Sequence, residues 1–147
     1  MTNFFSSNYK VIHLPTLSIT SANMEPINAK EFDGLIFTSA NAVRFLQLKN
    51  DEKNIKCFCV GNITERSLRL KGFTNTVAAS GTVNALKNII LNSEKKIKNL
   101  AYLCGDVVSY DLDKDLKLSG FKIKKIINYN SSKITNLNSE SLDLIKK

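Results

Sequence analysis

Histidine occurs once in this chain of 147 residues, at His13, and tryptophan not at all. A single stray histidine supports no Ser-His-Asp or Cys-His catalytic arrangement. Cysteine is scarce too: Cys57, Cys59 and Cys104 are an odd number, and with His13 distant they offer no zinc-ligand spacing, so no metal is expected. Two of the three lie on one apolar run, and all three read as inert buried thiols rather than as a disulfide framework. None of the six glycines falls into G-x-G-x-x-G after a strand or G-x-x-x-x-G-K-[ST], which removes dinucleotide and P-loop readings. The loop after Ser39 has no glycine with which to wrap a flavin phosphate. The run Thr76-Val77-Ala78-Ala79-Ser80 ends without the acid of a phospho-acceptor receiver domain. No apolar stretch approaches the ~20 residues of a membrane span, and Met1–Ser7 lacks a basic region followed by an apolar one. The expectation is a cytoplasmic protein without a membrane partner.

Arginine is rare, 3 residues against 18 lysines, and the net charge is +8. That charge has two readings: attraction of a polyanionic ligand, or AT-rich coding, which raises the 17 asparagines and 14 isoleucines together with lysine. The lysines are scattered and no aromatic residues interleave them, so no nucleic-acid partner is expected.

What is present is an alternation. Periodicity predicts strands at Leu35–Thr38, Lys56–Val60, Thr76–Ala78, Asn99–Leu103 and Lys122–Tyr129. Between them it predicts helices at Ala42–Lys49, Ile63–Lys71, Val83–Asn92 and Val108–Ser119. Five strands and four helices in this order imply a doubly wound, flavodoxin-like α/β fold: a five-stranded parallel sheet with helices on both faces. A further strand, Lys10–Leu14, is stopped by Pro15 and cut off by a polar connector containing Pro26. It reads as part of a different sheet. Residues 33–129 are therefore expected to form the α/β domain, residues 1–32 a stray strand with its linker, and residues 130–147 a returning connector or tail.

Local signals support these boundaries. Leu68-Arg69-Leu70-Lys71-Gly72-Phe73 and Leu116-Lys117-Leu118-Ser119-Gly120-Phe121 are the same helix ending written twice, with glycine in the left-handed position and phenylalanine folding back. Thr82 is placed to cap the third helix, and Asn62 with Glu65 has capping-box spacing. Three apolar runs end in small or hydroxyl residues: at Thr38-Ser39-Ala40-Asn41, at Gly61-Asn62-Ile63-Thr64 and at Gly105-Asp106. In a parallel sheet these turns share the carboxyl edge, where helix N-termini favour anions and open α/β folds bind ligands.

The motifs, taken in order, resemble the uroporphyrinogen-III synthase family. They are Val11-Ile12-His13-Leu14-Pro15, Asp33-Gly34-Leu35-Ile36-Phe37-Thr38-Ser39-Ala40-Asn41-Ala42-Val43, Val60-Gly61-Asn62-Ile63-Thr64, Leu103-Cys104-Gly105, Leu116–Ile123 and Ile126-Ile127-Asn128-Tyr129. The resemblance implies a lyase of haem biosynthesis that closes hydroxymethylbilane with inversion of its last ring and needs no cofactor. It also implies two similar α/β domains joined by two strands, of which this chain would hold one complete domain, with a second chain as a conceivable source of the other. Ser109 departs from the pattern, since relatives often carry a basic side chain there.

The implied substrate is a linear tetrapyrrole with eight carboxylates. The resemblance assigns Thr38, Ser39, Ala40, Asn41, Gly61, Asn62, Thr64, Gly105 and Asp106 to one lip of its cleft, where main-chain N–H groups at strand-to-helix turns would hold carboxylates at about 0.3–1 kcal/mol each. Local readings stand beside these: Ser39 and Asn62 as helix caps, Gly61 and Gly105 as turn glycines, Thr64 as a first-turn hydroxyl. Tyr129 is the expected catalytic residue, because a phenol with a pKa near ~10 is protonated at neutral pH and can hydrogen-bond or protonate a departing hydroxyl. Its plainer reading is a half-buried strand tyrosine. Two other classes remain open, a non-catalytic tetrapyrrole-binding domain and an unrelated flavodoxin-like interaction module.

Overall fold

Gly34-Leu35-Ile36-Phe37 offers water no polar side chain, and it lies buried at the middle of a sheet. The computed structural model describes residues 17–22 and 25–133. Ile19–Ser131 make one compact unit. The strands are β1 (Leu17–Ser21), β2 (Gly34–Phe37), β3 (Lys56–Val60), β4 (Thr76–Ala79), β5 (Asn99–Gly105) and β6 (Lys122–Lys133). The helices are α1 (Ala40–Arg44), α2 (Asn62–Leu70), α3 (Val83–Leu91) and α4 (Leu112–Leu118). Among the described residues no helix is long and apolar enough to cross a membrane.

The sheet order is β1-β6-β5-β2-β3-β4. Neighbours from β6 through β4 are parallel. The doubly wound α/β arrangement read from the sequence is therefore observed, with two differences of detail. Counted from β2, the parallel strands lie in the order 3-2-1-4-5 and not in the flavodoxin order 2-1-3-4-5. Burial explains it: β2 and β5 are buried almost throughout and take the centre, whereas half-buried β4 takes the edge. The second difference is a sixth strand, β1, within the stretch expected to be a polar connector. Its Leu-Ser-Ile-Thr-Ser sequence alternates over only five residues, too little to stand out, and it lies at the edge beside β6. The expected strand Lys10–Leu14 lies outside the described residues.

Side chains of β2 alternate between two cores. Ile36 joins Phe58, Leu100 and Tyr102 beneath Leu86 and Ile90 of α3 and Leu112 and Leu116 of α4. Leu35 and Phe37 join Cys57, Cys59, Ala101 and Leu103 beneath Ala42 and Val43 of α1 and Leu68 of α2. The three cysteines are free and buried, and burial pushes the Cys57 thiol up to about 12.

Both helix endings form as read: Gly72 and Gly120 have φ of +100° and +98°, and Phe73 and Phe121 donate back to Leu68 and Leu116. Thr82 caps α3 through the Ala85 N–H at 3.1 Å. The capping box does not form. Gly61 is the N-cap of α2, and Glu65 instead accepts from Thr76 Oγ1 at 3.1 Å and pairs with Arg69. Two helices are shorter than predicted. α1 stops at Arg44 because the chain beyond it bridges to buried Ile27, whose N–H and carbonyl take Gln47 and Lys49. α4 begins at Leu112 because residues 106–111 form a loop.

Asp33 joins the start of β2 to that of β5: its Oδ2 accepts from the N–H groups of Lys98 and Asn99 at 3.0 and 2.9 Å. The Lys98 bond, then the Asn99 bond, holds this carboxyl below its ordinary 3.8, against a small opposing effect of burial. A folded-state value below the unfolded one adds stability above the unfolded pKa, and that stability is lost as pH falls through the folded value. The gap in unfolding free energy between the unsubstituted chain and Asp33→Asn, measured by urea denaturation, is expected to be full above about pH 5 and to close below 3.8. A gap independent of pH would contradict it.

Candidate functional site

β3 and β4 extend the sheet to one side of β2, and β5 and β6 extend it to the other. The carboxyl ends of β2 and β5 therefore flank the point where the winding reverses, which is where doubly wound sheets leave a crevice. A cavity of about 210 Å³ opens there. Its wall includes Thr38 and Ser39 after β2, Tyr102 and Gly105 of β5, Ser109 and Tyr110 of the following loop, and Tyr129 of β6.

Ser39 is the N-cap of α1, with Oγ accepting from the Asn41 N–H at 3.1 Å, so it both caps and lines the cavity. Tyr129 owes its place to a register shift. β5 and β6 pair Cys104 with Ile127 and then Gly105 with Tyr129, leaving Asn128 as the extra residue of a bulge. Asn128 is buried there, with its side-chain amide donating to the Ala42 carbonyl at 2.7 Å. The Tyr129 ring lies on Gly105, where a Cβ would stand 2.6 Å from Cε2 and 3.0 Å from the hydroxyl oxygen. The ring of Phe45 also stacks against it, at 6.3 Å between centroids.

The described geometry brings Thr38, Ser39, Gly105 and Tyr129 to one cavity. Ala40 and Asn41 follow in the first turn of α1. Gly61, Asn62 and Thr64 share the same sheet edge, at the end of β3, but face elsewhere. Thr64 is buried, and exposed Asn62 belongs to an outer groove with Ile63, Arg66 and Leu70. The expectation of free main-chain donors does not hold at two positions. The Gly61 N–H donates to Ala79 at 2.9 Å, and the Asp106 N–H donates to the Tyr129 carbonyl at 3.1 Å. Asp106 is further engaged through its carboxylate, which accepts from the Ser131 N–H at 2.9 Å, and that bond keeps its pKa low. A charged Asp106 repels an approaching carboxylate.

Tyr102 joins the site with no local sequence signal for it. This residue exposes 2% of its surface, and its hydroxyl lies 3.3 Å from Thr38 Oγ1. Burial pushes its phenol up to about 12. Strand alternation puts Tyr102 on the face of Leu100 and Cys104, a signal for core rather than for a cavity wall. Also unforeseen was the pinning of the loop after β5. The Tyr110 hydroxyl donates to Asp115 on α4, and Asp115 pairs with Lys87 of α3 at 3.3 Å.

Residues 4–147 match the family model described as HEM4, uroporphyrinogen-III synthase HemD. The chain belongs to the uroporphyrinogen-III synthase family. The crystal structure of uroporphyrinogen-III synthetase from Helicobacter pylori 26695 has the same fold, with a TM-score of 0.63 at 23% identity over 88% of this chain and 59% of that one. A doublecortin domain-containing protein of Plasmodium falciparum (isolate 3D7) is 29% identical over 136 residues, 78% of this chain and 53% of that protein. The chain thus spans little more than half the length of either. For a member of the uroporphyrinogen-III synthase family, the crevice at the reversal of winding is where three of the segments that carry the resemblance end. The Phe37-Thr38-Ser39, Cys104-Gly105 and Asn128-Tyr129 segments all end there.

Proposed function

We propose that the chain carries one lip of a uroporphyrinogen-III synthase site, where hydroxymethylbilane is closed to uroporphyrinogen III with inversion of its last ring. The observation that carries this reading is Tyr129 lying against Gly105 at the crevice between the β2 and β5 ends. In the reaction the hydroxymethyl oxygen takes a proton from a general acid, its carbon–oxygen bond breaks, and the hydroxyl leaves as water. The resulting azafulvene cation is captured at an already substituted pyrrole carbon, whose older bond to its bridging methylene then breaks and re-forms at the free α position of the same ring with loss of a proton. Tyr129 hydrogen-bonds or protonates the departing oxygen, the task of a general acid. Thr38 and Ser39 present hydroxyls to the substrate. Ala40, Asn41, Asn62 and Thr64 remain candidate contacts along the same edge, Gly61 and Gly105 give the backbone close approach, and Asp106 serves by holding the β6 end. The α/β unit works together with an opposing domain, supplied from outside the described unit.

One lip binds weakly. Each carboxylate gains about 0.3–1 kcal/mol at a helix terminus, so a few such contacts amount to roughly 5- to 150-fold in affinity. Orienting the last ring needs contacts on its far side as well, since misplacement lowers rate steeply. A second reading, a tetrapyrrole-binding domain without turnover, keeps the same lip and gives Tyr129 no part in bond breaking.

The test is chromatographic separation of the type I and type III isomers after incubation of the chain, in molar excess, with hydroxymethylbilane. Most product is expected to be type I from unassisted closure. Its type III share is expected to rise above the protein-free level, and Tyr129→Phe is expected to cut the type III rate by about 10²-fold. A type III share equal to the protein-free level, with uroporphyrin III still bound, establishes the binding-only reading. Absence of both overturns the tetrapyrrole function.

A further inference from the structure

We infer that Tyr102 is a positioning residue of the crevice: its buried phenol donates to Thr38 Oγ1 and so leaves the Thr38 hydroxyl hydrogen directed into the cavity, as a donor to a ligand carboxylate. The inference rests on the tetrapyrrole reading above for the identity of that ligand and goes beyond it in naming which group recognises the carboxylate.

Tyr102 is buried, and the only hydrogen-bond partner of its hydroxyl among the described residues is Thr38 Oγ1, at 3.3 Å. A buried O–H left without an acceptor costs about 1–3 kcal/mol, so the phenol donates. Thr38 is half-buried and has no other side-chain bond among the described residues. Once its oxygen has accepted, its own hydrogen is the one left over, and the cavity is the open direction. Burial keeps the phenol protonated across the physiological range, because its pKa is pushed up to about 12, so the donor never switches off. The two tyrosines border the crevice from opposite cores. Tyr129 lies on Gly105 from β6, and Tyr102 lies in the wall beside Thr38, its hydroxyl 3.3 Å from Thr38 Oγ1.

Fluorescence titration with uroporphyrin III, an octacarboxylate, tests this on the full chain. Thr38→Val is expected to weaken binding about tenfold, while Thr38→Ser, which keeps the hydroxyl, binds like the unsubstituted chain. Tyr102→Phe is expected to weaken binding about threefold, and to add nothing in the Thr38→Val background, because it acts through Thr38. A merely structural role for Tyr102 predicts equal losses in both backgrounds and overturns the inference. If Tyr102→Phe does not fold, the Thr38 pair decides: equal affinity of Thr38→Val and the unsubstituted chain overturns it. No uroporphyrin III binding by the unsubstituted chain overturns the tetrapyrrole reading and the inference with it. Binding that is indifferent to all of these substitutions overturns the inference alone.

Discussion

Replacing Gly105 by alanine is expected to lower the unfolding free energy by about 1–3 kcal/mol, the ordinary range for overpacking, and replacing it by valine by more. The new Cβ would stand 2.6 and 2.7 Å from Cε2 and Cζ of Tyr129. The ring cannot simply swing aside, because β6 is paired to β5 on both sides of the bulge and Phe45 stacks against it. Either the ring leaves the crevice or the strands part. Thermal unfolding checks the first-order cost, at about 3–4 °C per kcal/mol for a chain of this size. A double-mutant cycle identifies the cause. In a Tyr129→Ala background Gly105→Ala is expected to be nearly neutral, since the clash partner has gone. An undiminished cost in that background would show that Gly105 matters for reasons other than the tyrosine. In the isomer assay, Gly105→Ala is expected to behave like Tyr129→Phe.

Phe58→Ala is expected to have the largest effect on stability, about 3–5 kcal/mol. Phe58 exposes 1% of its surface near the middle of β3 and belongs to the core formed by Ile36, Leu86, Ile90 and Leu100. Gly34 on the neighbouring strand leaves its ring room: a Cβ there would lie 3.3 Å from Phe58 Cε2. The backbone of the central strands cannot close around the void, because β3 is hydrogen-bonded to both β2 and β4. Set against a typical total of 5–15 kcal/mol, that loss leaves a marginal fold. Urea denaturation followed by circular dichroism measures it. A loss under about 1 kcal/mol would mean that the core repacks, contrary to the rigidity expected of parallel central strands.

Much of the architecture was legible because its causes are local. Ser39 and Thr82 cap helices through partners two and three residues away. Gly72 and Gly120 end helices by adopting positive φ, and the phenylalanine after each folds back five residues. Apolar runs such as Leu35–Phe37 and Leu100–Cys104 announce central strands, since only a strand covered on both faces can afford them. What misled were signals that tertiary contacts overrode. The apolar pattern after Arg44 looked helical but serves a bridge to Ile27, and Glu65 had the spacing of a capping box but found Thr76 and Arg69 first.

The sequence by itself determined the α/β class, the strand-to-helix turns at Thr38-Ser39 and Gly61-Asn62, the strand end at Gly105, and the resemblance that the family match bears out. Each depends on residues within a few positions of one another or on their order along the chain. Only the tertiary structure decided the strand order, the sixth strand, and which turns share a cavity. It alone placed Tyr129 on Gly105 through a register shift, and Tyr102 against Thr38 across 64 residues of chain. It also showed that the Gly61 and Asp106 N–H groups are already engaged. The physical reason is the same in each case. Strand pairing and side-chain packing are chosen by competition among all the elements at once, and a one-residue change of register moves every side chain to the other face.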